Sequence, residues 1–236
     1  MGNSSLDPKN AALGDSESPI IPDTLRVRYR AFSERWRYFM ACLTGLAIAL
    51  AINQIFNLGF FVDYVMLDSR YMYLITGVML SMVFIVFPGS QHSKAHVPWY
   101  DILIMVAIAG IFSYYAYYAE RIVLEAWEYS APPVGVWLAM VTWAIVLEGG
   151  RRAGGWPVFF IVALFSFYPT FADALPDVVA ALSITLPEAA IFHVLGEESL
   201  FGIPMRVFAQ LVFGFLIFGV SLQFTGGGPF FINLAF

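Results

Sequence analysis

The chain reads as an all-α, polytopic helical membrane protein with about five to six transmembrane helices, and three observations predict that class. Hydrophobic residues make up 60% of its 236 residues and charged residues only 12%, with a mean hydropathy of +0.75. Soluble domains carry about twice that share of charge. The apolar residues fall in runs close to the roughly 20 residues that take a helix across the hydrocarbon core. The basic residues alternate between the gaps that separate those runs. Only helices and closed barrels satisfy their own backbone in lipid, and these runs are continuous rather than alternating with period two, which selects helices.

The first run extends from Tyr38 to Asn57 and the second from Tyr71 to Phe87, stopped by Pro88-Gly89. The third, Ile102 to Ala119, ends in a tyrosine cluster at 114, 115, 117 and 118. The fourth, Val134 to Leu147, follows Pro132-Pro133 and is short for a full crossing. Gly154-Gly155 and Asp173 bound the fifth, Trp156 to Phe171, and Val207 to Phe224 forms the sixth. Between the last two, residues 173–199 are broken by Pro176, Pro187 and Gly196 and read as short or interfacial helices.

Orientation follows from lysine and arginine, which accumulate on the cytoplasmic side. If the runs alternate, one side holds Lys9, Arg26, Arg28, Arg30, Arg35, Arg37, Lys94, Arg151 and Arg152, nine of the 12. The other holds Arg70, Arg121 and Arg206. This predicts a cytoplasmic N-terminus. Residues 1–24 are polar and aperiodic, which predicts a disordered cytoplasmic tail without a cleavable signal peptide. Residues 25–37 interleave arginines with Leu25, Val27, Tyr29, Phe32 and Trp36, the pattern of a basic amphipathic segment on anionic lipid. The net charge of −5 gives no reason to expect a nucleic-acid partner. The single Cys42 excludes an intrachain disulfide.

Chemistry-bearing patterns are sparse. His92 and His96 have i, i+4 spacing, but Gly89, Ser90 and Pro98 oppose a helix, and a zinc site needs three or four ligands. His193 falls on the opposite side of the membrane in this topology. No nucleophile elbow, zinc-protease helix or phosphate loop occurs, so the chain reads as no enzyme, with no cofactor, catalytic or metal site. Asn53, Gln54, Thr142 and Gln210 read as hydrogen bonds between helices, and tryptophans near the run ends (Trp99, Trp127, Trp156) as interface belts. Asp101 and Glu148 lie at the cytoplasmic ends of their runs. The cluster from Glu148 through Arg151 and Arg152 reads as a tight, glycine-rich turn whose arginines fix topology and hairpin packing, with a Glu148–Arg pair as the functional alternative. The Thr225–Pro229 break, with Gly226, Gly227 and Gly228, interrupts a membrane helix, as at transporter substrate regions.

Four segments together resemble the fused permeases of TRAP transporters of the TAXI type. They are His96-Val-Pro-Trp-Tyr-Asp101, Leu147-Glu-Gly-Gly-Arg-Arg152, Leu200-Phe-Gly-Ile-Pro204 (with Gly202 and Pro204) leading into Phe213–Gly219, and Thr225-Gly-Gly-Gly-Pro-Phe-Phe-Ile-Asn-Leu-Ala235. The resemblance runs from about residue 36 to the end. It implies a small-permease-like helical membrane domain over 38–172 and the opening of the large, transporting domain over 200–236. It also implies a bacterial or archaeal cytoplasmic (inner) membrane protein that imports organic acids such as dicarboxylates by symport, with sodium as coupling ion. The implied partners are a periplasmic substrate-binding protein, the lipid bilayer and the rest of the large permease domain, in cis or as a separate chain. The sequence ends at Phe236, ahead of the family's helical hairpins with their sodium and substrate sites, which implies a fragment or a split subunit. A non-transporting membrane scaffold is the alternative, and an intramembrane enzyme ranks last.

Single cysteines at Ser93 and Ser130, in a Cys42→Ala background, test the orientation in intact cells. A membrane-impermeant maleimide should label Ser130→Cys and spare Ser93→Cys; the reverse pattern inverts the topology.

Overall fold

A computed structural model of the chain describes residues 29–30, 33–58, 65–90, 96–176 and 180–235. The predicted tail over 1–24, most of the basic residues ahead of the first helix, His92 and Lys94 lie outside the described residues. Among the described residues the chain is helical throughout, with no strand. The helices are α1 (Glu34–Phe56), α2 (Asp68–Val86), α3 (Trp99–Tyr117), the short α4 (Ala119–Leu124), α5 (Pro133–Gly154), α6 (Trp156–Phe167), α7 (Leu186–Leu195), α8 (Ile203–Phe224) and α9 (Gly227–Ala235). Five of them, α1, α2, α3, α5 and α8, are long and apolar enough to cross a membrane.

Several elements differ from the sequence reading. The fourth run is not short: α5 has 22 residues, with Pro133 in its first turn, and continues through Glu148-Gly-Gly-Arg-Arg to Gly154. The glycine-rich turn shrinks to Gly155, whose φ of 83° lies in the region open to glycine. The short element is the fifth run, where α6 ends after 12 residues in a 3₁₀ turn at Tyr168–Thr170. Within the predicted amphipathic segment 25–37, Tyr29 and Arg30 are not helical, and Ser33 in extended conformation precedes a helix that belongs to α1. Within 173–199 lies α7, a helix of 10 residues. It buries Ala189, Ala190, Ile191 and Val194 and packs along α5, where His193 meets Trp143. The break after the sixth run is also narrow, since only Thr225 and Gly226 (φ 75°) separate α8 from α9.

α1, α2, α3 and α5 run antiparallel in succession. Arg30 donates its backbone N–H to Val86, so the start of α1 lies at the end of α2, and Gln54 reaches Asp68 at the opposite end. Half of α2 is enclosed (50%), against 6% of α8, so α2 is the centre of the bundle. Tyr71, Ile75, Phe84, Ile85, Ile108 and Tyr115 form its fully buried core. Close packing at small residues marks where the helices touch. α1 presents Ala47 and Ala51, four residues apart, to the bundle, and Gly77 of α2 lets Phe112 of α3 approach the backbone. Exposed aromatics gather at both ends, Tyr38, Trp99 and Trp156 at one and Tyr117 and Tyr129 at the other. Trp127 departs from the belt reading: it is buried, stacked on Tyr118, and donates its indole N–H to Glu125.

Gly77→Ala should destabilise the chain by about 1–3 kcal/mol, because its Cβ would stand 2.7 Å from Phe112 Cβ. Gly110→Ala, where the added Cβ meets nothing within 4 Å, should be neutral or stabilising. Thermal unfolding in detergent compares the two.

Candidate functional site: a buried ion network at the helix ends

Asp101 stands in the first turn of α3, where the exposed N–H groups of the helix favour an anion. Arg151 and Arg152 stand in the last turn of α5, where the carbonyl ends favour cations. Antiparallel packing brings these two complementary ends together. The Asp101 carboxylate is fully buried and each oxygen takes one guanidinium: Oδ1 accepts from Arg152 Nη1 at 2.7 Å and Oδ2 from Arg30 Nη2 at 2.6 Å. Arg152 is itself buried, donates its Nε to Glu148 Oε1 at 2.8 Å and lies over the Phe84 ring. Glu148 is also clasped by both forks of Arg151, at 2.7 and 2.6 Å, and the Arg151 guanidinium rests over Trp156.

Gly89 completes the packing: a Cβ there would meet the Arg152 guanidinium at 2.9 Å, and its carbonyl faces Arg151. Arg30 uses its backbone N–H on Val86 and Nη1 on the Phe84 carbonyl. Among the described residues its buried Nε has no partner. Three guanidiniums and two carboxylates therefore tie the segment before α1 to the end of α2 and the facing ends of α3 and α5. The geometry is that of a clamp. It offers charge-assisted hydrogen bonds, with both oxygens of each carboxylate engaged by arginine.

The remaining candidates from the sequence lie elsewhere. Gly202 is the N-cap of α8, Pro204 follows in its first turn, and Phe201 beside them packs edge-on against Tyr73. Gly226 makes the turn into α9, Gly227 begins that helix, and Gly228 faces open space. None of these five contacts the ion network. Gln54 bonds Asp68 and Thr142 bonds Tyr115, each across two helices, whereas Gln210 lines a cavity. His193 donates its Nε2–H to the Ser166 carbonyl and pairs its Nδ1 with Ser199 Oγ, and burial lowers its pKa against the raising effect of that carbonyl. Among the described residues no group of three His, Cys, Asp or Glu could hold a metal.

Compared with protein-family models, curated proteins and solved structures, the chain matches none. Its functional reading therefore rests on its own residues. Arg30 is the member of the network that the sequence hides. It sits in a run of arginines, and the one signal for it is a carboxylate at the head of an apolar helix, which requires buried cations.

Asp101→Asn should cost about 3–5 kcal/mol in detergent unfolding, since it leaves two buried guanidiniums facing a neutral amide. Arg152→Lys should also be severe, because an ammonium cannot span Asp101 and Glu148 as the planar fork does. Arg151, with its side chain 21% exposed, should tolerate lysine at a cost of about 1 kcal/mol or less. Equal costs for the two lysine variants would show that charge alone matters here.

Proposed function

We propose that this chain is the membrane-embedded bracing part of a TRAP-type permease, working with a periplasmic binding protein in a bacterial or archaeal inner membrane. The observation that carries the reading is the meeting of two of the four resembling segments. The one that ends in Asp101 and the one that ends in Arg152 supply the two sides of a single buried ion pair. A charge clamp of that kind suits a part that holds still while another part moves substrate. The rest of the charge distribution agrees. Every Asp, Glu, Lys, Arg and His of the five long helices among the described residues lies within two turns of a helix end, which supports a part without a charged path through its middle depth.

Two levels of exposed aromatics, around Trp99 and Trp156 and around Tyr117 and Tyr129, support embedding in a bilayer, with the Arg30 end cytoplasmic by its excess of arginine. On this reading α8 and α9 open the large, transporting domain. The sites for sodium and for an organic acid, such as a dicarboxylate, belong to the remainder of that domain, in cis or on a separate chain.

Reconstitution tests this. Proteoliposomes holding the chain together with the large permease part and its binding protein should take up labelled dicarboxylate when sodium is outside, and the chain alone should take up none. A complete set that shows no sodium-dependent uptake of any organic acid in a panel favours a non-transporting scaffold. Uptake by the chain alone overturns the assignment of its helices to bracing.

A further inference from the structure

At the end of the bundle opposite the ion network lies a second polar cluster that the bracing role does not use. The first turn of α2, the turn after α4, the turn after α7 and the start of α8 enclose a cavity of about 160 Å³. Its floor is apolar, with Met72, Ile122, Leu195 and Phe201. Its wall carries Asp68, Glu128, Glu197 and Arg206. Arg206 is already matched by Glu197 at 2.9 Å. Asp68 takes one hydrogen bond from the neutral amide of Gln54. Among the described residues, two carboxylates, Asp68 and Glu128, thus have no cation partner in the cavity wall.

The second observation is independent of that charge. Tyr73 is 4% exposed, its ring held between Tyr115 and Phe201, and it lines the same cavity. Among the described residues its hydroxyl has no hydrogen-bond partner, although Glu128 and Glu197 both act on it electrostatically. The Tyr73 ring is enclosed, but its hydroxyl opens on the cavity, with three carboxylates around that cavity and none bonded to it, so the hydroxyl is available to a ligand there.

We infer that this cavity binds a primary ammonium carried on a short apolar body. An ammonium has three N–H donors and no acceptor, which suits a ring of carboxylates and a phenol oxygen. The aromatic faces of Tyr73 and Phe201 add attraction for a cation. An apolar cavity of about 150 Å³ takes a ligand the size of benzene, so about six to eight heavy atoms fit here. An organic anion would meet a net negative wall, and a quaternary ammonium would leave every acceptor unpaired. The ammonium could come from a free amine or from an ethanolamine lipid headgroup, whose chemistry is the same. The inference does not depend on the transport reading, since its ligand is a cation and the proposed cargo is an acid.

Titration calorimetry on the purified full chain in detergent tests it with hexylammonium, hexanol, hexanoate and hexyltrimethylammonium as probes. Hexylammonium should bind at least about tenfold tighter than the other three, the scale of one charge-assisted hydrogen bond. Tyr73→Phe and Glu128→Gln should each weaken it by about tenfold while leaving the unfolding temperature unchanged, which a purely structural role would not do. Glu120→Gln, outside the cavity, is the control and should change nothing. Native mass spectrometry from mixed nanodiscs then separates the sources. Retention of phosphatidylethanolamine over phosphatidylcholine assigns the site to the headgroup, and equal retention assigns it to a free amine. Hexylammonium binding no tighter than hexanol, or unaffected by both substitutions, overturns the inference.

Discussion

The carboxylate of Asp101 is the point on which one whole end of this molecule depends. A carboxylate with no exposure is costly to desolvate, and it persists only with its lone pairs filled by cations of good geometry. Arg30 and Arg152 fill them from two different parts of the chain. The consequence is mechanical: wherever Asp101 sits, the segment before α1 and the last turn of α5 must follow. Helix dipoles act in the same direction, since the anion is at a helix start and the cations are at a helix end. Gly89 is small for the same reason, because the Arg152 guanidinium occupies the space a side chain would need.

The two ends of the bundle are built on different principles. At the Arg30 end, Arg30, Asp101 and Arg152 are buried together, with Glu148 and Arg151 partly exposed beside them, and the single Gly155 separates α5 from α6. At the other end the ion pairs, such as Arg121–Glu125 and Arg206–Glu197, are largely exposed and contribute little to stability. Turns rather than helices fill that end, held by Trp127 beneath Tyr118 and by Phe201 against Tyr73. Turns pack less completely than helices, and the acidic cavity is the space they leave.

Much of the helical layout was legible because membrane-length runs are long and continuous, and breakers such as Pro88, Pro98 and Pro133 mark their limits. The misplaced end of the fourth run has a physical cause. Charged residues and glycines near a run were read as the end of its helix, whereas α5 carries Glu148, Gly149, Gly150, Arg151 and Arg152 inside the helix, where neighbouring side chains satisfy the charges. Asp101, Glu148, Arg151 and Arg152 were legible as residues on one side of the membrane, with a Glu148–Arg pair as an alternative, but the pairing of Asp101 with Arg152 comes only from the packing of α3 against α5. Arg30 was not, since a local pattern cannot say which of several arginines folds back across the bundle. Tyr73 was equally hidden among the many aromatics of these helices, and its distinction is an empty hydrogen-bonding position that only the packed turns create.

The attachment of α8 to the rest of the bundle follows from a local backbone irregularity. Residues Phe208–Val212 form a π turn, which displaces the usual carbonyl partners within the helix. The Ala209 carbonyl then accepts the Tyr71 hydroxyl at 2.7 Å, while Ala209 itself is fully buried. Beyond this turn, from Phe213 to Phe224, no residue of α8 is buried, although Gly214 comes close to Ile55 of α1. One hydrogen bond and a few small contacts therefore join a long apolar helix to a bundle that is clamped by charge at its far end. The proposed bracing role calls for that arrangement: rigidity where the helices meet, and a narrow, well-defined joint where the next element departs. A π turn supplies such a joint because it frees a carbonyl to be held from outside without ending the helix.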